Sequence, residues 1–567
     1  MNAERLLEVY EQISEAPDAI TRLRRFVLNL AVRGKLVVQD AADEPASRLL
    51  VRIDEERKRL HALNEIRKPK KLPPLDVAPF DLPSTWAWAR MRDVTSDRGQ
   101  EVPSARFTYI DVSAIDKEAG VVSDPKVLEP DDAPSRARKI TRKGDVIYSC
   151  VRPYLLNVAV ITEDFEPAPI ASTAFAILNG YDLVLPWYLW IALRSPYMVE
   201  CVERYQRGQS YPAINDKDFS LLPFPLPPLA EQRRIVAKVD ELMALCDRLE
   251  EARKTREEVR DKLTAASLAR LTAPETTAED FPTHAAFALE ALPSFTTRPD
   301  QIKTLRQTIL NLAVRGKLVE QDPADEPASD LLKRIVESRA IERRRKGAFE
   351  PVPENDVPFR SPSGWTWVRF GEIFNIRTGF AFKSSTYADS GVLVFRVVNF
   401  DRSGAFDLSD SKYFPEDKID EKVAGFLLEE GEILMVMVGG TIGKTTRVSS
   451  EILPALLNQN MWRIRSFGQA MSNDFEFLLI KMLNQQIENL TNSTHGHFAM
   501  GDYEQKPICI PPLAEQHRIV AKVDALMTLC DQLEDALTST DTTRTRLLEA
   551  LLHQALEPAA NALEAAE

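Results

Sequence analysis

Cysteine is scarce in this chain and unpaired in its spacing. There are five among 567 residues (Cys150, Cys201, Cys246, Cys509 and Cys530), an odd number, with no C-x-x-C. A disulfide framework and a zinc site are therefore not expected, and reduced thiols in a cytoplasm are the simplest reading. Long apolar runs are missing as well. Each is short and broken by charge, below the ~20 residues a bilayer requires. The opening MNAERLLEVYEQISEAPD is acidic and polar, so it does not read as a signal peptide. A basic excess is absent too: the formal net charge is −13, whereas a simple nucleic-acid binder is normally basic.

Signatures of catalysis are also lacking. No nucleophile elbow, no H-E-x-x-H, no G-x-G-x-x-G behind a strand and no N-P-P-[FY] occurs. GGTIGKTT (439–446) comes nearest to a phosphate loop. That pattern needs glycine six places before its lysine, and six before Lys444 stands Val438. A tight turn with one basic residue is the plainer reading. His495-x-His497 has no third ligand at useful spacing, and RRRK (343–346) reads as a solvated helix face. No catalysis by this chain alone is expected.

What the chain does contain is itself, twice. NLAVRGKLVVQDAADEPASRLL (29–50) returns as NLAVRGKLVEQDPADEPASDLL (311–332). LPSTWAWARM (82–91) answers SPSGWTWVRF (361–370), pairing Trp86 and Trp88 with Trp365 and Trp367. PPLAEQRRIVAKVDELMALCDRLE (227–250) answers PPLAEQHRIVAKVDALMTLCDQLE (511–534). The offsets are 282, 279 and 284, far beyond the roughly 20–50 residues of a solenoid or propeller repeat. Between the tryptophan pair and PPLAEQ the similarity nearly vanishes, apart from fragments such as KGDVIYS (143–149) beside EGEILMV (430–436). Each half is a kept frame around a diverged domain.

The stretches after PPLAEQ predict long helices. Pro227-Pro228 and Pro511-Pro512 suit a helix entry. Ile235, Val239, Leu242, Cys246 and Leu249 recur at spacings of four and three, as do Ile519, Val523, Leu526, Cys530, Leu533 and Leu537. That is an a/d seam, in which the two cysteines read as small buried hydrophobes. A helix of about 40 residues is roughly 60 Å long. The two helices are expected to pack together as a rigid spacer; the plainer alternative is that each covers its neighbouring domain. The diverged domains read as mixed and β-rich, with runs such as DVIYSCV (145–151), IASTAFAIL (170–178), VLVFRVVNF (392–400) and EILMVMV (432–438). Helices are expected near 186–195 and 475–490. Segments 66–83, 271–300 and 346–362 read as connectors.

The diverged domains hold side chains suited to bases and phosphates. VRPYLLN (151–157) and RYQRGQSYPAIN (204–215) supply Arg152, Tyr154, Arg207, Gln209 and Tyr211. RTGFAFKSSTY (377–387), GGTIGKTT and LLNQNMWRIR (456–465) supply Arg377, Lys383, Ser384, Lys444, Asn458 and Gln459. Arg bonds bidentately to guanine, and Asn or Gln to adenine, in the major groove. Lys and backbone N–H groups position phosphate. Ordinary polar surface loops also contain such residues.

PPLAEQ, RIVAKVD and a heptad helix, twice, each behind a divergent domain, resemble the specificity subunit of type I restriction–modification systems. GDVIYSCVRP (144–153) and GEILMVMVGGTIGK (431–444) are similar to the turn-and-strand signature of that family's target recognition domains. The resemblance covers essentially the whole chain. It implies an α+β fold: two mixed, β-rich target recognition domains joined by two long antiparallel coiled-coil helices, with pseudo-two-fold duplication. The implied parts are an N-terminal helical segment (1–80), a first reader (81–226) and a central helix (227–272). A linker with a second helical segment (273–357), a second reader (358–510) and a C-terminal helix (511–567) follow. Each reader would recognise half of a split double-stranded DNA site. The helices would set the spacing and dock two modification (methyltransferase) subunits. S-adenosylmethionine, ATP and Mg2+ would belong to those subunits and to the restriction subunits, with no cofactor or metal in this chain and no membrane. Residues 80–225 hold 16 Lys and Arg against 20 Asp and Glu, so partner subunits are expected to supply much of the attraction to phosphate. The rival reading is a coiled-coil adaptor whose variable domains bind proteins.

Overall fold

The computed structural model describes residues 15–63, 65–66, 72–75, 77–208, 211–273, 276, 279–342, 349–400, 404–438, 442–488 and 499–556. Among the described residues six helices form the frame: α1 (Ala19–Val32), α2 (Ala46–Ala62), α3 (Leu229–Thr272), α4 (Pro299–Val314), α5 (Ala328–Glu342) and α6 (Leu513–Leu556). The chain divides into two compact units, Met1–Arg256 with Asp541–Glu567, and Glu257–Thr540. Both 44-residue helices are split by that division. Each begins in its own unit and ends in the other. The tail of α6 packs Leu548 and Leu551 on Ala16 and Ala19 in the first unit. The tail of α3 packs Leu268 and Leu271 on Ala288 and Leu312 in the second. Ala288 lies in a helix, Phe281–Phe295, inside the stretch 271–300 expected to be a connector; Phe281, Ala285 and Ala288 recur at spacings of four and three and give it an apolar face that packs.

The repeated phrases correspond to repeated contacts. In the first unit Gly34, at φ +67, ends the run after α1, and a Cβ there would lie 2.4 Å from Pro83 Cγ. In the second, Gly316 at φ +65 meets Pro362 at the same 2.4 Å. The left-handed backbone and the close approach both require glycine. Gln39 donates to Glu231 at 2.6 Å, as Gln321 does to Glu515 at 3.2 Å. Arg234 pairs with Asp43 at 2.6 Å, and Arg518 with Asp325 at 2.6 Å. Arg24 on α1 holds Asp247 and Glu250 of α3 at 2.5 and 2.8 Å. Arg306 on α4 holds Asp531 and Glu534 of α6 at 2.6 and 2.7 Å. Ion pairs this exposed contribute little each; together they fix which face of each long helix meets the short one.

Seam residues enter their own unit's core. Ile235 and Val239 join Trp86, Tyr188, Phe219 and Phe224, with Leu242 packed at the edge and Leu249 half-buried. Ile519, Val523 and Cys530 join Trp365, Phe370, Trp462 and Tyr503, with Leu526 and Leu533 at the edge. For these positions the covering role is the one filled. All five cysteines are buried and free, and burial pushes every thiol upward, Cys150 to about 12.

Each diverged domain is attached through a two-stranded antiparallel stem. Ala87–Arg90 pairs with Pro223–Leu226, and Thr366–Arg369 with Pro507–Ile510. Beyond the stems the sheets differ. The first domain has a five-stranded sheet ordered Phe175–Leu178, Val146–Ser149, Val158–Val160, Val121–Val122, Ile115–Asp116, and a separate four-stranded sheet. The second has four antiparallel strands, Phe374–Thr378, Met461–Ser466, Ile433–Val436 and Thr445–Arg447, and a three-stranded sheet. Both are mixed and β-rich. Among the described residues no helix is long and apolar enough to cross a membrane.

Candidate nucleic-acid interface

In both domains a glycine–acid pair starts the strand that leads to the surface. Gly144 (φ +85) precedes Asp145, and Gly431 (φ +86) precedes Glu432. Asp145 is fully buried and accepts from Arg142 N at 2.8 Å, Arg98 Nε at 2.6 Å and Asn179 Nδ2 at 3.1 Å. Glu432 accepts from Glu429 N at 2.9 Å and lies 3.3 Å from Arg463 Nε. The acid closes the turn and aims the strand, which explains why this fragment persists inside otherwise dissimilar domains.

In the first domain that strand, Val146–Ser149, ends in Val151–Leu156. Val151 bridges to Ala213, and Ala213 to Arg207. The two stretches singled out in the sequence therefore converge although they lie some 50 residues apart. Arg152 places its guanidinium 4.5 Å over the Tyr211 ring. Tyr211 is 68% exposed, and Tyr154 and Arg207 are exposed as well, Arg207 with Asp218 at 3.2 Å. Leu155 and Tyr205 lie in the same two stretches and are also exposed; Leu155 offers no polar atom to a base or phosphate, and nothing in the sequence sets Tyr205 apart from Tyr154 and Tyr211. Gln209 lies outside the described residues.

The second domain also gathers its candidates. Phe380 bridges to Asn458, and Gln459 N donates to Phe380 O at 2.9 Å. Gly379 lies so close that a Cβ would stand 1.9 Å from Asn458 O. Arg377, Lys383, Ser384 and Gln459 are exposed, and Asn458 is half-buried, accepting from Gln459 N at 2.7 Å. Lys444 is less open: it donates to Phe400 O and sits 4.3 Å over the Phe400 ring. Residues 439–441 before it, the two histidines and RRRK lie outside the described residues. In a stretch read as base-contacting, Arg463 turns inward to Glu432, and Arg465 pairs with the exposed Glu429. They hold the domain together.

Beside that ion pair, Glu476 is 3% exposed and lines a small polar cavity with Glu432, Ser466 and Asn473. Burial pushes its carboxyl up to about 7 from 4.5, with the Ser466 N–H, which donates to it at 3.3 Å, pulling it back. The folded state therefore holds this proton more tightly than the unfolded chain does. Its contribution is complete below pH 4.5 and is lost as pH rises towards 7. Glu476→Gln should flatten that part of the profile. Unfolding midpoints of both proteins measured from pH 5 to 8 check this, and parallel profiles would contradict it.

Two unlike β-rich domains on one duplicated helical frame, the first gathering Arg and Tyr side chains at its surface and the second Arg, Lys and amide side chains, have the character of recognition modules. Among the described residues no group of three or more His, Cys, Asp or Glu is placed to hold a metal ion. The model of the type I restriction modification DNA specificity domain matches residues 141–258 and 362–540. The Escherichia coli EcoAI type I restriction enzyme specificity subunit is 30% identical over 566 residues, covering 95% of this chain and 94% of that one. The Escherichia coli EcoEI specificity subunit is 28% identical over 570 residues, with the same coverage. A solved chain from work on complex assembly and conformational transition of the type I R-M system shares 26% identity. It covers 84% of this chain and 99% of that one, with a TM-score of 0.50. The chain belongs to the type I restriction–modification DNA specificity family. It is a non-catalytic DNA-recognition subunit that works with the other subunits of such a system, and the adaptor reading is not supported.

Proposed function

We propose that the two readers recognise the two halves of a bipartite, asymmetric DNA site. The observation that carries this is the pair of two-stranded stems: each reader enters and leaves the frame at one place, so its sheets diverge without disturbing the repeated contacts. Unlike readers on like stems suit a non-palindromic site. The long helices set the unread gap, so lengthening them lengthens the gap. With the helical segments before each reader they dock two modification subunits, which supply adenine methylation from S-adenosylmethionine. Restriction subunits add ATP- and Mg2+-dependent cleavage. The readers carry no net basic charge, so those partners provide much of the electrostatic attraction to the duplex. The whole assembly works in the cytoplasm.

Exchanging residues 95–220 for the reader of another such subunit tests the division. Sequencing of methylated sites in a host carrying the exchanged subunit should show one half-site replaced and the other kept. Change in both halves would overturn the modular reading.

A further inference from the structure

The turn after Val146–Ser149 is more than a polar loop. Among the described residues, Tyr154 and Leu155 are the one adjacent pair of large apolar side chains that are both exposed, at 50% and 41%. They sit on a short 3-10 turn, Pro153–Leu155, held between two left-handed non-glycine residues, Arg152 (φ 49) and Leu156 (φ 54). Such backbone persists only where its surroundings enforce it, and it gathers at functional sites. Here the enforcement is visible. Arg152 N donates to Pro212 O at 2.8 Å, Ser149 Oγ to Val151 O at 2.8 Å, and Leu155 N to Arg152 O at 3.0 Å. Pro153 is buried, and the turn rests on the helix Pro196–Glu203.

We propose that Tyr154 and Leu155 form a rigid wedge that inserts at one base step of the half-site read by the first domain. This rests on the reading under Proposed function. Two observations choose duplex DNA over a protein partner. The apolar tip has guanidinium groups beside it: Arg152, next to the turn, is stacked on Tyr211, and Arg207, exposed although paired with Asp218, is joined to Val151 through Ala213. That suits a stacked step between phosphates and not an apolar protein pocket. The aromatic is not repeated in the second reader: with Gly144 set on Gly431, the positions matching Tyr154 and Leu155 read Thr441 and Ile442. A contact to a partner that docks on both halves would be duplicated; this one belongs to what the readers do not share, the DNA sequence. Wedges of this kind unstack a step and bend the duplex.

The test uses the complex with modification subunits and a duplex bearing the site mapped by methylation sequencing. 2-Aminopurine is placed in turn at each first-half position other than the methylated adenine, which a methyltransferase extrudes on its own account. The native complex should give a several-fold fluorescence rise at one step. Tyr154→Ala with Leu155→Ala should abolish that rise and weaken binding about ten-fold, as loss of one stacked base does, while Tyr154→Phe keeps both. A native complex that methylates the site with no rise at any step, or a double variant that keeps the rise, overturns the wedge and leaves the two-reader function standing. Absence of any site-specific methylation takes down both.

Discussion

Arg463→Ala should destabilise the second unit by about 3–5 kcal/mol, the cost of leaving one member of a buried ion pair alone. Arg463 and Glu432 side chains are 7% and 2% exposed, with Nε and Oε1 3.3 Å apart. Burial lowers the arginine and raises the glutamic acid, each against its charged form. The pair thus offsets a large desolvation cost by being together, and its loss exposes that cost. Arg463 also donates to Leu427 O at 2.7 Å, which ties the Met461–Ser466 strand to the loop before Glu432. Adding Glu432→Gln to Arg463→Ala should recover part of the loss, since a neutral amide costs less to bury than a carboxylate. Denaturant unfolding of the single and double variants measures this. Site-specific methylation of the bipartite site should fall with it, since both readers must hold their halves. A single variant within about 1 kcal/mol of the native chain, the range of ordinary surface changes, would show that the pair is not structural.

Arg463 also marks where sequence reading reached its limit. LLNQNMWRIR has the composition of a base-contacting strand, and composition does not tell which side of the strand faces in. Asn458 and Gln459, at the turn before it, stay at the surface, whereas the strand itself pairs on both sides, with Phe374–Thr378 and Ile433–Val436, and buries Arg463. Lys444 went the same way, its charge taken up by a carbonyl and a ring of Phe400. The reverse holds for Leu155, an apolar side chain that composition assigns to the core and the turn leaves exposed.

The frame was far more legible, because its signals are local and doubled. Heptad spacing locates α3 and α6 to within a few residues, since 3.6-residue periodicity is written in neighbouring positions. It does not say what the seam meets. Ile235 and Val239 turned to their own reader, a fact held in residues such as Tyr188 and Phe224 that lie far away in sequence. The readers' sheets were illegible for the same reason. Thr108 pairs with Pro169 and Leu393 with Ala455, both in parallel register across some 60 residues, and strands of three or four residues carry too little pattern to name such partners.

Of the repeated letters, the glutamine of PPLAEQ gives the other large effect. Gln232 accepts from Leu185 N at 2.8 Å and donates to Pro227 O at 3.1 Å. Gln516 accepts from Ser472 N at 3.0 Å and donates to Pro511 O at 3.1 Å. Both glutamines are fully buried. Leu185 and Ser472 immediately precede the reader helices Pro186–Arg194 and Asn473–Glu488, so one amide joins each reader to its long helix and braces the Pro-Pro entry. Methionine conserves the volume and makes neither bond. Gln232→Met and Gln516→Met should each leave two backbone groups unpaired, at roughly 1–3 kcal/mol apiece. The two losses should fall on different units. Calorimetry or hydrogen exchange should show Gln232→Met weakening protection around 185–194, with 472–488 unchanged, and Gln516→Met the converse. Equal loosening of both readers by either variant would mean that the units share one cooperative core, and the stems could not then isolate a diverging reader from its frame.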